Sequence, residues 1–321
     1  MISLSMNSHQ FSRKEIILSY ITILRLVNGL VAGTAAAFGI VLSLPLGVQV
    51  DYLTLALVVI CTMFVSSQAM IFNDISDREE DRINAPHRPL PSGKISVKTA
   101  KIYGVILVVL ALATAAVIDI LNPELYGLSV ITAIIFGGSL DLYNIKLKRM
   151  GFWGNLTIGI NVVALFAYGS IHTYLVHPGI GLPWIPIVVG ACAGSGNVGR
   201  EIIKGLPDIE GDRKAGVRTL AVKFGPKVTA MIGSLFLWGL ISGALIATIL
   251  PMFVETTPPL YLVSQIIVYL IASLATFLAI AILFNQKPKW AYTTKEILLI
   301  IFLAFLLVFI IDKIVRLAIG V

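Results

Sequence analysis

Charged side chains are scarce in this sequence. Asp, Glu, Lys and Arg make up 13% of its 321 residues, against roughly 25% in a soluble domain. So little charge does not suit the surface of a water-soluble enzyme, and a disordered chain would need more charge and fewer apolar residues. Cysteine is nearly absent as well. Cys61 and Cys192 are the only two, both within apolar runs and without disulfide or metal-ligand spacing. That excludes a disulfide-knit secreted domain, and both read as small buried hydrophobes. No cleavable signal peptide is expected, because residues 1–15 are largely polar and lead into a full-length apolar segment.

Apolar residues are what the chain has in abundance: 57% of the total, with a mean hydropathy of +0.93. At about 20 residues per crossing, the expectation is an all-α polytopic membrane protein. Apolar runs fall near 20–45, 52–72, 100–120, 124–141, 153–176, 182–198, 228–250, 260–284 and 296–318, which predicts nine spans, with eight or ten as the alternatives because the runs at 124–141 and 182–198 are the shortest. The net charge of +7 needs no nucleic acid as partner, because Lys and Arg collect in cytoplasmic loops of membrane proteins. Of the 24 basic residues, 22 fall in the N-terminal segment or in the loops after spans two, four, six and eight. Lys313 and Arg316 are the exceptions, at the far end of span nine. This alternation predicts a cytoplasmic N-terminus and an external C-terminus. The two long loops near 73–99 and 199–227 would then be cytoplasmic, and they hold nine of the seventeen carboxylates.

The first of these loops begins Asn73-Asp74-Ile-Ser-Asp77-Arg78-Glu79-Glu80-Asp81-Arg82, directly continuing an apolar span. On a helix, Asp74, Asp77 and Asp81 lie within about 60° of one another. Like charges so placed repel, and either a divalent cation or nearby arginines must offset the repulsion. The second loop reads Arg200-Glu201-Ile-Ile-Lys204-Gly-Leu-Pro207-Asp208-Ile-Glu210-Gly211-Asp212-Arg213. Asp208 and Asp212 share a face if Pro207 opens a new helical piece. Two carboxylate clusters at same-side helix ends, each beside basic residues, suit Mg²⁺ together with a diphosphate, since hard oxygen donors and substrate phosphates are what Mg²⁺ takes. Gly194-Ser-Gly196-Asn-Val-Gly199 matches the dinucleotide fingerprint GxGxxG, but no βαβ alternation surrounds it. Close helix packing is its expected role.

These residues give the chain a resemblance to the UbiA superfamily of intramembrane prenyltransferases over nearly its whole length. The resemblance rests on the 73–81 run with its continuation Asn84-Ala-Pro-His-Arg88-Pro-Leu-Pro-Ser-Gly93. It rests equally on the 208–212 motif with Gly216-Val-Arg-Thr-Leu-Ala, on Arg25 and Asn28, and on Leu142-Tyr143-Asn144. It implies nine helices around a central cavity, with a Mg²⁺-bound prenyl diphosphate beneath cytoplasmic caps. Carried over by position, Asn73, Asp74, Asp77, Asp81, Asp208 and Asp212 would form the Mg²⁺ site. Arg88, Lys146, Arg200 and Lys204 would hold the diphosphate, and Asn28, Tyr143 and Asn144 would line the reacting end. Lys148 and Arg149 read as topology charges, and His9, His87, His172 and His177 receive no role. One domain spans 1–321, with degenerate helical halves near 15–150 and 151–321.

The implied reaction is departure of an allylic diphosphate, its charge stabilised by metal and basic side chains. An apolar tunnel would protect the allylic cation from water. The second motif is similar to that of archaeal digeranylgeranylglyceryl phosphate synthases, chlorophyll synthases and homogentisate prenyltransferases. The leading expectation is transfer of a geranylgeranyl group to geranylgeranylglyceryl phosphate, in archaeal ether-lipid synthesis. A quinone- or tetrapyrrole-directed aromatic prenyltransferase is the first alternative, and an ion-coupled transporter is the alternative from another class. Intramembrane charges near the midplane would mark a transporter, whereas these acids sit at span ends. The expected partners are a prenyl diphosphate, a lipophilic acceptor and the bilayer, with neither nucleic acid nor a protein partner inferred.

Overall fold

The computed structural model describes residues 11–45, 48–214, 216, 219–249 and 262–319. His9, Val217, Arg218 and the chain around 250–261, where the seventh and eighth runs meet, lie outside them. Among the described residues there is no strand, and twelve α-helices follow one another. They are α1 (Arg13–Thr22), α2 (Leu26–Ser43), α3 (Tyr52–Ser76), α4 (Arg78–Asn84), α5 (Val97–Leu121) and α6 (Leu128–Ile145). The second half holds α7 (Phe152–Val176), α8 (Ile185–Lys204), α9 (Ile209–Lys214), α10 (Leu220–Ile249), α11 (Leu262–Phe284) and α12 (Pro288–Ile319).

All nine expected runs are helical, but they do not all qualify as spans. Among the described residues eight segments are long and apolar enough to cross a membrane, α1 and α2 counting as one. The run expected at 182–198 forms α8, which is long enough at 20 residues. It is diluted by glycines, by Asn197 and by the Arg200–Glu201 pair in its last turns, so the count of nine is not reached by this measure.

Local chemistry sets the helix ends. Ser12 and Glu15 cap α1 reciprocally, and Asp51 caps α3 by accepting from the backbone N–H of Leu53 and Thr54. The fourth run was expected to begin at 124. Instead Pro123–Leu125 forms a single 3₁₀ turn, and Tyr126 and Gly127 take left-handed conformations. That delays α6 to Leu128 and carries Tyr143 and Asn144 on its final turn. Asp119 satisfies the new N-terminus by accepting from the N–H groups of Ser129 and Val130, each at 3.0 Å. Its carboxylate is thus a cap.

The bundle is held together by close approach of small residues at several crossings, and the rejected nucleotide motif is one of them. A Cβ on Gly194 would lie 2.6 Å from the carbonyl oxygen of Gly159 in α7. One on Gly199 would lie 2.5 Å from the Gly233 carbonyl oxygen in α10. These glycines let α8 wedge between α7 and α10, where packing and not phosphate decides their identity. Deeper in the bundle, Phe38 packs edge-on against Phe166 and Phe309 with ring centroids 5.4 and 5.6 Å apart. Phe305 closes the cluster at 4.8 Å from Phe309.

Gly199→Val should therefore overpack the α8–α10 crossing and destabilise the protein by about 1–3 kcal/mol. Gly138→Ala, where a Cβ meets nothing within 4 Å, should be neutral. Thermal unfolding of both variants in detergent tests this, and equal melting temperatures would contradict the packing account.

Candidate active site

A cavity of about 870 Å³ lies among α1, α2, α3, α6, α7, α8, α10 and α12. Its interior is apolar, with Val31, Ala35, Phe136, Leu165, Leu240 and Phe302 in its wall. Its polar residues gather where α3, α6 and α8 end. Leu26, Val27 and Ile300 line it and are also exposed, so its wall reaches the bundle surface at α2 and α12.

The first acidic motif is built on the exit from α3. Asn73 and Asp74 sit in its last turn, Asp77 joins α3 to α4, and Asp81 lies in α4. All three aspartates are buried, as expected for one helical face. Of the two ways to offset their repulsion, the structure displays the basic one, although the sequence-adjacent arginines supply none of it. Arg82 pairs with the exposed Glu79 at 2.6 Å. The partners come from elsewhere: Arg25 donates to Asp74, Lys148 to Asp77, and Arg88 to both oxygens of Asp81 at 2.6 and 2.7 Å. Asn73 also donates to Asp77, at 2.5 Å.

Two of these cations differ from what the sequence suggested. Lys146, expected at the diphosphate, is exposed and does not line the cavity. Lys148, expected to be a topology charge, turns inward to Asp77 because a 3₁₀ turn over Leu147–Met150 follows α6. Arg25 stands between α1 and α2 at φ 47° and ψ 52°, a left-handed conformation that non-glycine residues seldom hold. Such strain persists only where the surroundings over-determine it, and here the break aims the guanidinium at Asp74.

The second motif lies across from the first. Pro207 and Asp208 form the turn after α8, the Asp212 N–H donates to the Asp208 carbonyl at 2.9 Å, and α9 packs against α4. Burial, and then the neighbouring Asp208, push the Asp212 carboxyl up to about 6. Glu80 of α4 adds to that rise and Lys148 opposes it, so the two motifs share one electrostatic neighbourhood. Glu80 is itself raised, chiefly by burial, with Lys148 pulling the other way. For Arg88 burial opposes the charge, but the bond to Asp81 and the nearness of Asp74 outweigh it and hold the proton more firmly.

Of the expected metal-site residues, Asn73 and Asp74 line the cavity, while Asp77, Asp81, Asp208 and Asp212 are not among its lining residues. Asn28, Tyr143, Asn144, Arg200 and Lys204 line the cavity, and Asn144 is oriented by donating to the Ala69 carbonyl at 2.9 Å. Glu201 receives Arg200 at 3.1 Å and Lys204 at 3.0 Å. Sequence reasoning missed Glu201, Lys295, Asn161, Asn197 and His87 as lining residues. Lys295 stood before the last apolar run and read as a topology charge. No spacing signal marks the others.

The family model for the UbiA prenyltransferase family matches residues 30–306. The chain belongs to this family. Family membership and the eight apolar segments make this prenyltransferase an integral membrane protein. It is 34% identical over 213 residues to the digeranylgeranylglyceryl phosphate synthase of Methanosphaera stadtmanae, covering 66% of this chain and 71% of that one. The synthase of that name from Pyrococcus furiosus is 34% identical over 217 residues, covering 68% and 73%. A solved structure described as digeranylgeranylglyceryl phosphate synthase in membranes aligns at a TM-score of 0.61 and 28% identity, covering 94% of this chain and 99% of that one. A UbiA homologue from Archaeoglobus fulgidus, bound to DMAPP and Mg²⁺, shares the fold at a TM-score of 0.60 and 20% identity, covering 91% and 99%.

The prenyltransferase's own donors suit a hard cation. Every candidate ligand is a carboxylate or amide oxygen, with no thiol or imidazole among them. Among the described residues no three His, Cys, Asp or Glu side chains converge on one point. An all-oxygen donor set fits Mg²⁺, which takes its other ligands from water and phosphate.

The raised Asp212 carboxyl has a sign that can be checked. Its proton is held more tightly in the folded state than in the unfolded one, so folding loses stability as pH rises from the ordinary 3.8 to about 6. Asp212→Asn should raise the melting temperature of the metal-free prenyltransferase at pH 7.5. The gain should shrink as pH falls through that window. A gain independent of pH, or a loss, would contradict the shared-charge picture.

Proposed function

We propose that the chain transfers a geranylgeranyl group from its diphosphate to the hydroxyl of geranylgeranylglyceryl phosphate, with Mg²⁺ as cofactor. The observation carrying this reading is that Asn73, Asp74, Arg25, Arg88, Arg200 and Lys204 line the polar end of an apolar cavity, beside which α9 of the second acidic motif packs against α4 of the first. The relatives' names supply the acceptor. The two helical halves act as one domain, since α2 packs on both α7 and α12. The mouth faces the cytoplasm, an orientation supported by the 22 basic residues gathered on that side.

Asn73, Asp74, Asp77, Asp81, Asp208 and Asp212 would hold Mg²⁺, directly or through water. When bound, the metal supplies positive charge against the leaving diphosphate. Arg25, Lys148 and Arg88 each hold one carboxylate of the first motif and stand ready to turn toward the same diphosphate. The C–O bond of the donor breaks with its electron pair going to the diphosphate. The apolar wall keeps water from the allylic cation, and the acceptor oxygen forms the new C–O bond at the same carbon. Its proton passes to the departing diphosphate, whose oxygens are the nearest strong acceptors. Asn28, Tyr143 and Asn144 shape the space in which the donor carbon and the acceptor oxygen meet. No nucleophile on the enzyme is required.

Product formation from labelled geranylgeranyl diphosphate, with geranylgeranylglyceryl phosphate and a panel of aromatic acceptors, tests the reading. Transfer should require Mg²⁺, cease in EDTA and return on adding the metal. Asp208→Ala should lose at least about 100-fold in turnover, the scale of removing one electrostatic stabiliser, while the protein elutes unchanged in gel filtration. Transfer persisting in EDTA, or near wild-type turnover in Asp208→Ala, would sink the metal assignment.

A further inference from the structure

The cations at the cavity mouth divide into two groups. Arg25, Lys148 and Arg88 are each bonded to an aspartate of the first motif. Arg200, Lys204 and Lys295 have no such partner among the described residues, yet all three line the cavity. Their ionic contacts are with Glu201, which takes both Arg200 and Lys204, and with Glu296, 3.8 Å from Lys295. The Glu201 side chain is 10% exposed and that of Glu296 48%. Glu201 and Glu296, both in the cavity lining, thus face three cations, so these groups keep an excess of positive charge where water is partly excluded.

That charge is held in a fixed arrangement. Arg200 Nε donates to the backbone carbonyl of Lys295 at 3.0 Å, tying the end of α8 to the second turn of α12. Arg200 Nη1 is on Glu201 at 3.1 Å, which orients the guanidinium plane. The Lys295 ammonium lies 4.2 Å from the centre of the Tyr292 ring, a cation–π contact that keeps it at the cavity rather than in solvent. A guanidinium and two ammonium groups on adjoining helix ends form a receptor for a tetrahedral anion.

Resting on the function proposed above, we infer that Arg200, Lys204 and Lys295 bind the phosphate of the acceptor, separately from the donor diphosphate. The acceptor carries its phosphate and its reacting hydroxyl on one glycerol unit. Two anionic headgroups must then occupy the same mouth at once, and mutual repulsion demands a cationic cluster for each. An aromatic acceptor would have no such anion to place. Glu201 is a positioning residue here, holding Arg200 and Lys204 at the correct spacing. The sequence expectation placed Arg200 and Lys204 with the donor; this inference assigns them to the acceptor instead.

The test compares initial rates of the purified full-length protein with Mg²⁺ and labelled geranylgeranyl diphosphate. The acceptors are geranylgeranylglyceryl phosphate and its phosphate-free counterpart, geranylgeranylglycerol. In Lys295→Met and Lys204→Met the KM for the phosphorylated acceptor should rise about tenfold or more, the scale of a lost hydrogen bond to a charged group, while the donor KM stays within about twofold. Geranylgeranylglycerol should be a poor acceptor for wild type and no poorer for either variant. Lys295→Arg should recover most of the affinity. A rise confined to the donor KM would overturn the inference by placing the cluster on the diphosphate. Equal loss with both acceptors would overturn it by making the role structural. Wild-type transfer to aromatic acceptors alone, with donor KM normal, would remove the proposed function and this subsite with it.

Discussion

Burying three carboxylates at the end of one membrane helix constrains nearly everything around them. Like charges at the spacing of Asp74, Asp77 and Asp81 repel, and each is matched by a cation carried from elsewhere. Arg25 comes from the break between α1 and α2, Lys148 from the turn after α6, and Arg88 from the loop after α4. These contacts knit four chain segments together at one end of the bundle. Removing one partner of such a pair leaves a buried charge and is far more damaging than the pair is stabilising, so their strongest effect is on geometry. They hold the mouth of the cavity in one arrangement.

The bundle is shaped to make that convergence possible. Glycines on α8 bring it close to α7 and α10, which sets Arg200 and Lys204 at the cavity edge. The late start of α6 brings Tyr143 and Asn144 down to the same level. The strained Arg25 bends the first membrane segment so that its guanidinium points inward. Each departs from the simplest local pattern, and each departure lies in a wall or at the mouth of the cavity. A prenyltransferase site that excludes water from an allylic cation while holding a diphosphate needs apolar walls and a charged rim within a few helical turns. The observed architecture separates the two along the helix axes.

Charge is unevenly divided at the rim. The first-motif cations are neutralised by carboxylates that fit a metal. The α8–α12 cluster keeps an excess of positive charge because Glu201 and Glu296 balance only two of its three cations. Electrostatic complementarity of this kind selects partners and fixes their register more than it adds affinity.

Much of this protein was legible in one dimension. Apolar runs of membrane-spanning length determine the all-α bundle, because in lipid a helix satisfies its own backbone hydrogen bonds. The repeated acid motifs and their spacing marked the site for the same reason: helical periodicity places Asp74, Asp77 and Asp81 on one face whatever surrounds them. The glycine-rich stretch in α8 was also readable as packing, since nothing near it resembled a nucleotide-binding unit. Tertiary structure alone decided which cation serves which carboxylate. Lys148, and not Lys146 or the adjacent Arg82, faces the first motif because a 3₁₀ turn rotates it inward, and nothing in the spacing shows that turn. Glu201 and Lys295 meet around Arg200 across almost a hundred residues. Ion pairs over such distances depend on where helix ends arrive in space, and that is set by the packing of the whole bundle.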